Sequence, residues 1–158
     1  MKAVSLLLSL FLFVGNVAAF VAPQPPVGIR THRTIDTRHF FDVGSMIRNF
    51  GKKVTASHIL IGPPQSITGR GMEQEAAQAK LLELKEQIND DPEKFAAAAQ
   101  EFSSCRASMN KGGDLGEFGP GMMVGPFDKV CFEEEVGKVH GPVSTPFGEH
   151  LILIRERK

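Results

Sequence analysis

A stretch that combines many glycines with large apolar side chains limits what this chain can fold into. It runs from Lys111 to Phe127, reads KGGDLGEFGPGMMVGPF and holds six of the sixteen glycines. Glycine accepts positive φ angles and lets the backbone pass close to other atoms, so this is not the pattern of an ordinary helix or strand face. Two interpretations are open at this point. The stretch lines a shallow site walled by loops and turns, or it is a surface loop whose large side chains pack onto a core.

The first nineteen residues have the pattern of a secretory signal peptide. After Lys2 comes a mostly apolar run from Ala3 to Val14, which is too short to cross a bilayer comfortably, and small residues follow up to Ala19. Residues 1–19 are therefore predicted to be a signal peptide. A membrane anchor is the alternative interpretation.

Residues 20–52 are basic, rich in hydroxyl side chains and poor in acids. This composition predicts a transit-peptide-like or disordered segment. A signal peptide followed by Phe20 and such a segment resembles the two-part plastid-targeting leader of algae with complex plastids. The predicted location is the plastid, reached through the secretory pathway, and no stable membrane association is expected after leader removal. The alternative is a flexible linker in a protein that is secreted or kept in the endomembrane lumen.

The overall composition narrows the classes of function. Hydrophobic residues make up 42% of the chain, enough for a core, and the formal net charge is zero, so no nucleic-acid partner is expected. Trp and Tyr are absent, which leaves no base-stacking platform of those residues. The only cysteines, Cys105 and Cys131, are expected to be free thiols, with Cys131 as a small buried residue. No metal-ligand spacing and no phosphate-binding loop stand out, so neither a metal nor another cofactor is predicted.

From residue 53 onward the pattern predicts one α+β domain, residues 53–158, with a small antiparallel sheet. Val54–Ile61 carries apolar groups on both faces and fits a central strand. The 3.6-residue period predicts a helix over Met72–Asn89, and Asp91 with Pro92 predicts the start of a second helix. Three further elements are predicted: a short helix at Pro126–Phe132 and strands at Val139–Ser144 and Gly148–Arg155.

Two histidines lie on strands that are otherwise apolar. His58 shares a strand face with Ala56 and Leu60, and His150 lies on the same face as two isoleucines of the last strand. If these strands are neighbours in the sheet, the two imidazoles lie side by side. A single histidine of this kind is usually a satisfied core residue. Two of them, with Thr145 close in sequence, indicate a hydrogen-bonded network.

Five motifs in order resemble the parvulin family of peptidyl-prolyl cis-trans isomerases over about residues 53 to 158. They are ASHILI (56–61), SSCRAS (103–108), GGDLGEF (112–118), PFDKVCF (126–132) and GPVSTPFGEHLILI (141–154). The resemblance implies a parvulin-like fold in which a four-stranded antiparallel sheet is surrounded by about four helices. It also implies rotation about X-Pro peptide bonds, a reaction that is slow because the planar amide loses its resonance when it twists.

A catalyst of this rotation must bind the twisted amide better than either planar form. It needs an apolar pocket for the proline ring and polar groups beside the amide. Two sets of residues are candidates for the polar, catalytic roles and for the substrate-binding roles. The resemblance places Met123 and Phe127 against the proline ring, the two histidines beneath the site and Cys105 facing the amide. The catalytic set is His58, Cys105, Thr145 and His150, and the substrate-binding set is Leu115, Met123, Phe127 and Phe147. Cys105 is either a nucleophile or a polarisable, weakly hydrogen-bonding group beside the amide, and the second role is sufficient for a rotation.

The predicted function is therefore a monomeric prolyl isomerase that acts on X-Pro bonds in unfolded or flexible protein segments and assists folding. Relatives that require a phosphorylated residue before proline carry a basic cluster in the loop that corresponds to Gly62–Gly71, and this chain has only Arg70 there. No phosphate dependence is predicted. Two alternatives remain: a non-catalytic parvulin-like chaperone module that holds proline-containing segments, and a cysteine hydrolase built on Cys105 with His58 or His150.

Overall fold

The computed structural model describes residues 43–158. The signal peptide predicted at residues 1–19, and the part of the transit-peptide-like segment before Val43, lie outside the described residues. The described elements are α1 (Val43–Arg48), β1 (Val54–Ile61), α2 (Gln74–Ile88), α3 (Pro92–Phe102), a 3₁₀ turn (Met109–Lys111), β2 (Asp114–Phe118), α4 (Gly125–Glu133), β3 (Val139–Thr145) and β4 (Gly148–Arg157). Between residues 43 and 158, none of the helices is both long enough and apolar enough to cross a bilayer.

The four strands form one antiparallel sheet in the order β2-β1-β4-β3. The two most apolar strands, β1 and β4, occupy its centre, as their apolar residues on both faces predicted. In their register His58 lies opposite Ile152, and Leu60 lies opposite His150. The α+β class, the four antiparallel strands and the four surrounding helices agree with the predicted fold.

The alternation of side chains along β1 and β4 produces two cores, one on each face of the sheet. Helices α2 and α3 cover one face, where Ile59, Leu81 and Phe95 are fully buried. Helix α4 covers part of the other face, where Phe118 and Ile154 are buried beside it. The two histidines belong to the α4 face, so the apolar layer under α2 and α3 supports the sheet behind them.

The start of α3 shows how local sequence sets an element boundary. Asp91 accepts hydrogen bonds from the backbone N–H groups of Glu93, at 2.8 Å, and Lys94, at 3.3 Å. Pro92 follows at the first helical position, where its missing N–H costs nothing. The predicted start of this helix is confirmed.

The sequence analysis gave no bounds for two elements. The glycine-rich stretch lacks the pattern of an ordinary strand face, yet Asp114–Phe118 is β2, the fourth strand of the predicted sheet, paired with β1. Gly113 allows this pairing because its φ is +82°, its C=O accepts the N–H of His58 at 2.9 Å, and a Cβ there would clash with the His58 carbonyl. Helix α1 lies within residues 20–52, on the N-terminal side of the boundary predicted at residue 53. That boundary itself stays a prediction.

Candidate active site

A cavity of about 460 Å³ opens on the sheet face that also carries α4. Its walls come from both central strands, from the segment between α3 and β2, and from the glycine-rich stretch. Its lining consists of His58, Leu60, Cys105, Leu115, Met122, Met123, Val124, Phe127, Phe147 and His150. The stretch from Lys111 to Phe127 thus lines a site, which decides between the two interpretations that the sequence left open.

Phe127 joins the apolar part of the cavity to its polar part. The residue is almost fully buried near the start of α4. Its ring lies edge-on to both histidine rings, with a centroid distance of 5.8 Å to His58 and 5.4 Å to His150. Leu115 and Met123 supply further apolar wall beside this ring. A flat aromatic face next to a flexible thioether suits a small apolar ring such as that of proline.

The loop that carries Met122 and Met123 is anchored to α4. Asp128, buried one residue after Phe127, accepts a hydrogen bond from the backbone N–H of Gly121 at 3.0 Å. Gly121 has a φ of +78°, a conformation that residues with a Cβ rarely adopt. The same helix therefore positions the aromatic wall directly and the methionine wall through a carboxylate.

Four side chains form a continuous hydrogen-bonded row beneath the cavity. His58 Nε2 lies 2.9 Å from Ser108 Oγ, and His58 Nδ1 lies 3.3 Å from His150 Nδ1. His150 Nε2 lies 2.8 Å from Thr145 Oγ1. The expectation that the two histidines lie side by side on neighbouring strands is confirmed.

Backbone groups hold the Thr145 end of this row. The Thr145 hydroxyl donates to the C=O of Gly148 at 3.2 Å and accepts the N–H of Phe147 at 3.1 Å. Burial, followed by the charge of His58, lowers the pKa of His150 to about 3, which keeps that ring neutral.

Cys105 lines the cavity beside the row and is half-buried. Hydrogen bonding with His58 lowers the pKa of its thiol to about 6, against the opposing effect of burial, and hydrogen bonds with Ser108 act in the same direction as His58. The thiolate is therefore the main form at neutral pH. The backbone around Cys105 is held by Ser103 Oγ, which accepts the N–H groups of Cys105, at 3.3 Å, and Leu60, at 3.2 Å. Burial raises the pKa of the other thiol, Cys131, so that Cys131 remains protonated and inert.

The structure brings the predicted site residues together, although it does not test their chemical roles. Thr145 lies behind His150, and the other seven residues line the cavity, with Phe147 at the exposed rim. The sequence analysis did not single out Ser108, the buried partner of His58 Nε2, although the serine lies within the SSCRAS motif. Met122 and Val124 were also missed as lining residues, because pairing Met123 with Phe127 did not show which neighbours face the cavity.

Arg70, the single basic residue of the loop Gly62–Gly71, is hydrogen-bonded to backbone carbonyl groups. Its Nη1 donates to the C=O of Gln100 at 2.9 Å and to the C=O of Ser103 at 3.2 Å. It does not line the cavity. Among residues 43–158, no group of three His, Cys, Asp or Glu side chains is placed to hold a metal ion.

Comparisons with known proteins agree with this geometry. Residues 44–158 match the profile of the PPIC-type PPIASE domain. The chain is 37% identical over 110 residues to foldase protein PrsA 4 of Bacillus cereus, a match that covers 70% of this chain and 34% of the relative. It is 34% identical over 113 residues to peptidyl-prolyl cis-trans isomerase Pin1 of Digitalis lanata, covering 64% of this chain and 94% of the relative.

Among solved structures, the chain is similar to peptidyl-prolyl isomerase ESS1 from Candida albicans. The TM-score is 0.58 at 27% identity, and the match covers 72% of each chain. The chain spans only about a third of the length of the Bacillus and Geobacillus foldases that it matches.

Proposed function

The chain belongs to the PPIC-type peptidyl-prolyl cis-trans isomerase family, and from this premise we propose that it catalyses rotation about X-Pro bonds in unfolded or flexible protein segments. One observation carries the proposal. An apolar cavity that fits a proline ring, with Cys105 in its lining, lies above a hydrogen-bonded row of polar side chains. Both parts that the rotation requires are therefore within reach of one peptide bond.

The chemistry follows from what the amide loses as it turns. When its nitrogen leaves the plane, resonance is lost and the charge on the carbonyl oxygen changes. A proline ring held against Phe127 and Met123 fixes one side of the bond, while the other side rotates past Cys105. The hydrogen-bonded row beside Cys105 holds both imidazoles in place, so the polar surroundings need little rearrangement during the rotation. No covalent step is required.

Substrates without a phosphate are part of the same proposal. A phosphate brings close to two negative charges at neutral pH and is held tightly by clusters of cations. The single cation of the loop beside the site, Arg70, already binds two backbone carbonyls. One exposed ion pair contributes at most about 1 kcal/mol, which is less than a tenfold preference.

The experiment is an exchange assay by NMR on short X-Pro peptides in which X is Glu, Leu, Lys, Ser or phosphoserine. The Ser and phosphoserine peptides form a matched pair and are measured at two ionic strengths. We expect turnover of the unphosphorylated peptides and less than a tenfold gain on phosphorylation. A hundredfold gain that fades with added salt would show that other cations, such as Arg106 or Lys111, converge on the site. No acceleration for any peptide would contradict the isomerase proposal.

A non-catalytic chaperone module is the second candidate, and one observation favours it: the chain aligns with proteins named foldases over only about a third of their length. Such a module needs the apolar pocket alone. Binding a polypeptide without catalysis requires neither the row from Ser108 to Thr145 nor the lowered pKa of Cys105. The enzyme is therefore the better-supported function. The same exchange assay separates the two, because a chaperone binds the peptides without accelerating the exchange.

The cellular location and the oligomeric state of the protein are also part of the proposal. We place it in the plastid, reached through a bipartite leader that lies within residues 1–52 and ends before α1, on the composition of that segment and because the match to the domain profile starts at residue 44. A monomer is proposed as the active form, because every group of the cavity and of the hydrogen-bonded row comes from one chain.

A further inference from the structure

Helix α1 and the turn after it present an apolar surface to solvent. This surface, which we call the α1 surface, consists of Val43, Met46, Ile47 and Phe50, all of them exposed. Ile47 is 71% exposed and Phe50 is 90% exposed. Single exposed apolar residues are ordinary, but a contiguous group of them usually marks a site of interaction.

The α1 surface is exposed because α1 docks on the domain through its polar side. Ser45 Oγ donates to Glu133 Oε1 at 3.1 Å, and Arg48 Nη2 donates to the same oxygen at 3.0 Å. Asn49 is buried and donates to the C=O of Ser45 at 2.9 Å. A surface helix normally turns its apolar side toward the core. Here the arrangement is the reverse, and polar bonds to α4 hold the apolar side outward.

This surface continues into the cavity. The Met46 side chain lies against Gly121, and a Cβ at Gly121 would clash with the Met46 sulfur. The next residue, Met122, is 68% exposed and lines the cavity. An apolar path therefore leads from the proline pocket over Met122 and Met46 to Ile47 and Phe50. The one charge on α1, that of Arg48, is paired with Glu133.

We propose that the α1 surface is a second binding site for the same polypeptide whose X-Pro bond lies in the cavity, and that it takes apolar side chains close to the proline in sequence. The inference rests on the proposed function and narrows its substrate class to unfolded segments in which apolar residues flank the proline. An extended chain advances about 3.3 Å per residue, so a few residues beyond the proline cover a helix of this length, which spans about 9 Å. A tetrapeptide is too short to use both sites.

The test compares the full chain carrying Ile47→Ser and Phe50→Ser with the wild type. Leu82→Ser is the matched control, because Leu82 is an exposed apolar residue, at 51%, on α2, which covers the opposite face of the sheet. Two substrates are used: an X-Pro tetrapeptide, and a reduced unfolded protein whose refolding is limited by proline isomerisation. Circular dichroism checks that each variant is folded.

We expect the double variant to keep the wild-type kcat/KM on the tetrapeptide and to lose about fivefold to tenfold on the protein substrate, mainly through a higher KM. The Leu82→Ser control should match the wild type on both substrates. Equal kcat/KM values of the double variant and the wild type on the protein substrate would overturn the inference and leave the isomerase function intact.

A binding measurement keeps the inference testable if the chain does not catalyse. Fluorescence anisotropy is recorded with a labelled twelve-residue peptide that has Leu and Phe around a central proline, and with a second peptide in which these residues are Ser. The double variant should lose affinity for the first peptide alone. If its affinity for both peptides is unchanged, the α1 surface does not bind polypeptide and the inference is wrong. A wild-type dimer on sedimentation that the double variant does not form would then assign the surface to contact between two copies of this chain.

Discussion

At the scale of single residues, the site depends on what surrounds the Cys105 thiol. The lowered thiol pKa arises mainly from the hydrogen bond with His58, while burial alone would have raised it. Ser108, which is hydrogen-bonded to the same imidazole, also lowers the pKa of Cys105. The cysteine is thus activated by its neighbours, although the proposed reaction needs no nucleophile.

Cys105 is expected to be the reactive thiol of the folded protein. Its alkylation by iodoacetamide should increase with pH along a curve whose midpoint is near 6, because the thiolate is the reacting form. His58→Ala should move the midpoint upward, since the largest cause of the lowered pKa is then removed. Mass spectrometry of labelled peptides gives both rates, and Cys131 serves as the internal control because it should stay unlabelled until the chain unfolds. A midpoint at the ordinary thiol value would contradict the proposed pairing with His58.

Phe127 is predicted to contribute to catalysis through its aromatic face. Phe127→Leu keeps an apolar side chain under the proline ring but removes the edge-on contacts to both histidines. Aromatic contacts of this kind contribute about 0.5–1.5 kcal/mol beyond burial, so kcat/KM on peptides should fall up to about tenfold. Phe127→Ala should cause a larger loss but also creates a cavity in the core that destabilises the fold by about 3–5 kcal/mol. The leucine variant, with its melting temperature measured alongside, is therefore the decisive one, and unchanged activity would place the proline elsewhere.

At the scale of elements, α4 organises the site. It carries Phe127 into the cavity, holds the methionine loop through Asp128 and anchors α1 through Glu133. A short helix of nine residues thereby links the pocket wall, the loop above it and the apolar surface outside it.

Asp128 is expected to act as a positioning residue for Met122 and Met123. Asp128→Ala removes the acceptor of the Gly121 N–H, so the loop should sample open conformations and bind the proline ring less well. A hydrogen bond to a charged group contributes about 1.5–3 kcal/mol, which predicts a rise in KM of about tenfold or more with a smaller change in kcat. Asp128→Asn, which keeps an acceptor oxygen, should recover most of the loss. A variant that lowers kcat and stability together with no change in KM would indicate a purely structural role.

The elements that the sequence predicted correctly are those with a strong local pattern. The apolar period of α2, the Asp91 cap of α3 and the two-residue alternation that aligned His58 with His150 all depend on nearby residues. The bounds of strand β2 could not be predicted, because its glycines carry no strand pattern and its pairing comes from backbone groups of β1. Helix α1 was missed for a similar reason, since its partner, Glu133, lies far away in the sequence.

At the scale of the whole molecule, the described domain joins a site on one face of the sheet to an apolar layer on the other. The polar row of the site crosses from β1 to β4. A change that separates these two strands would therefore break the row. The proposed leader in residues 1–52 can be tested by itself.

Residues 1–52, fused to a fluorescent reporter, should carry the reporter into the plastid of an alga with a complex plastid. The physical basis is the apolar run followed by a basic, acid-poor segment. Replacing Phe20 with Asp should divert the reporter from the plastid, and the unaltered fusion imaged in parallel is the control. Secretion of that control would contradict the plastid proposal and favour the secreted or lumenal alternative.

The pairing of β1 with β4 also determines when this domain can form during its synthesis. Val54 pairs with Arg157 and Ile61 with Glu149, so β1 cannot form its central pairing until β4 has been synthesised. A ribosome adds about 5–20 residues per second, which leaves β1 without its central partner for several seconds after it emerges. During that interval α2 and α3 can form, because their hydrogen bonds are local. Until β4 is synthesised, β1 is therefore an unpaired, apolar segment of the nascent chain. It is the same kind of segment that the folded protein is proposed to bind.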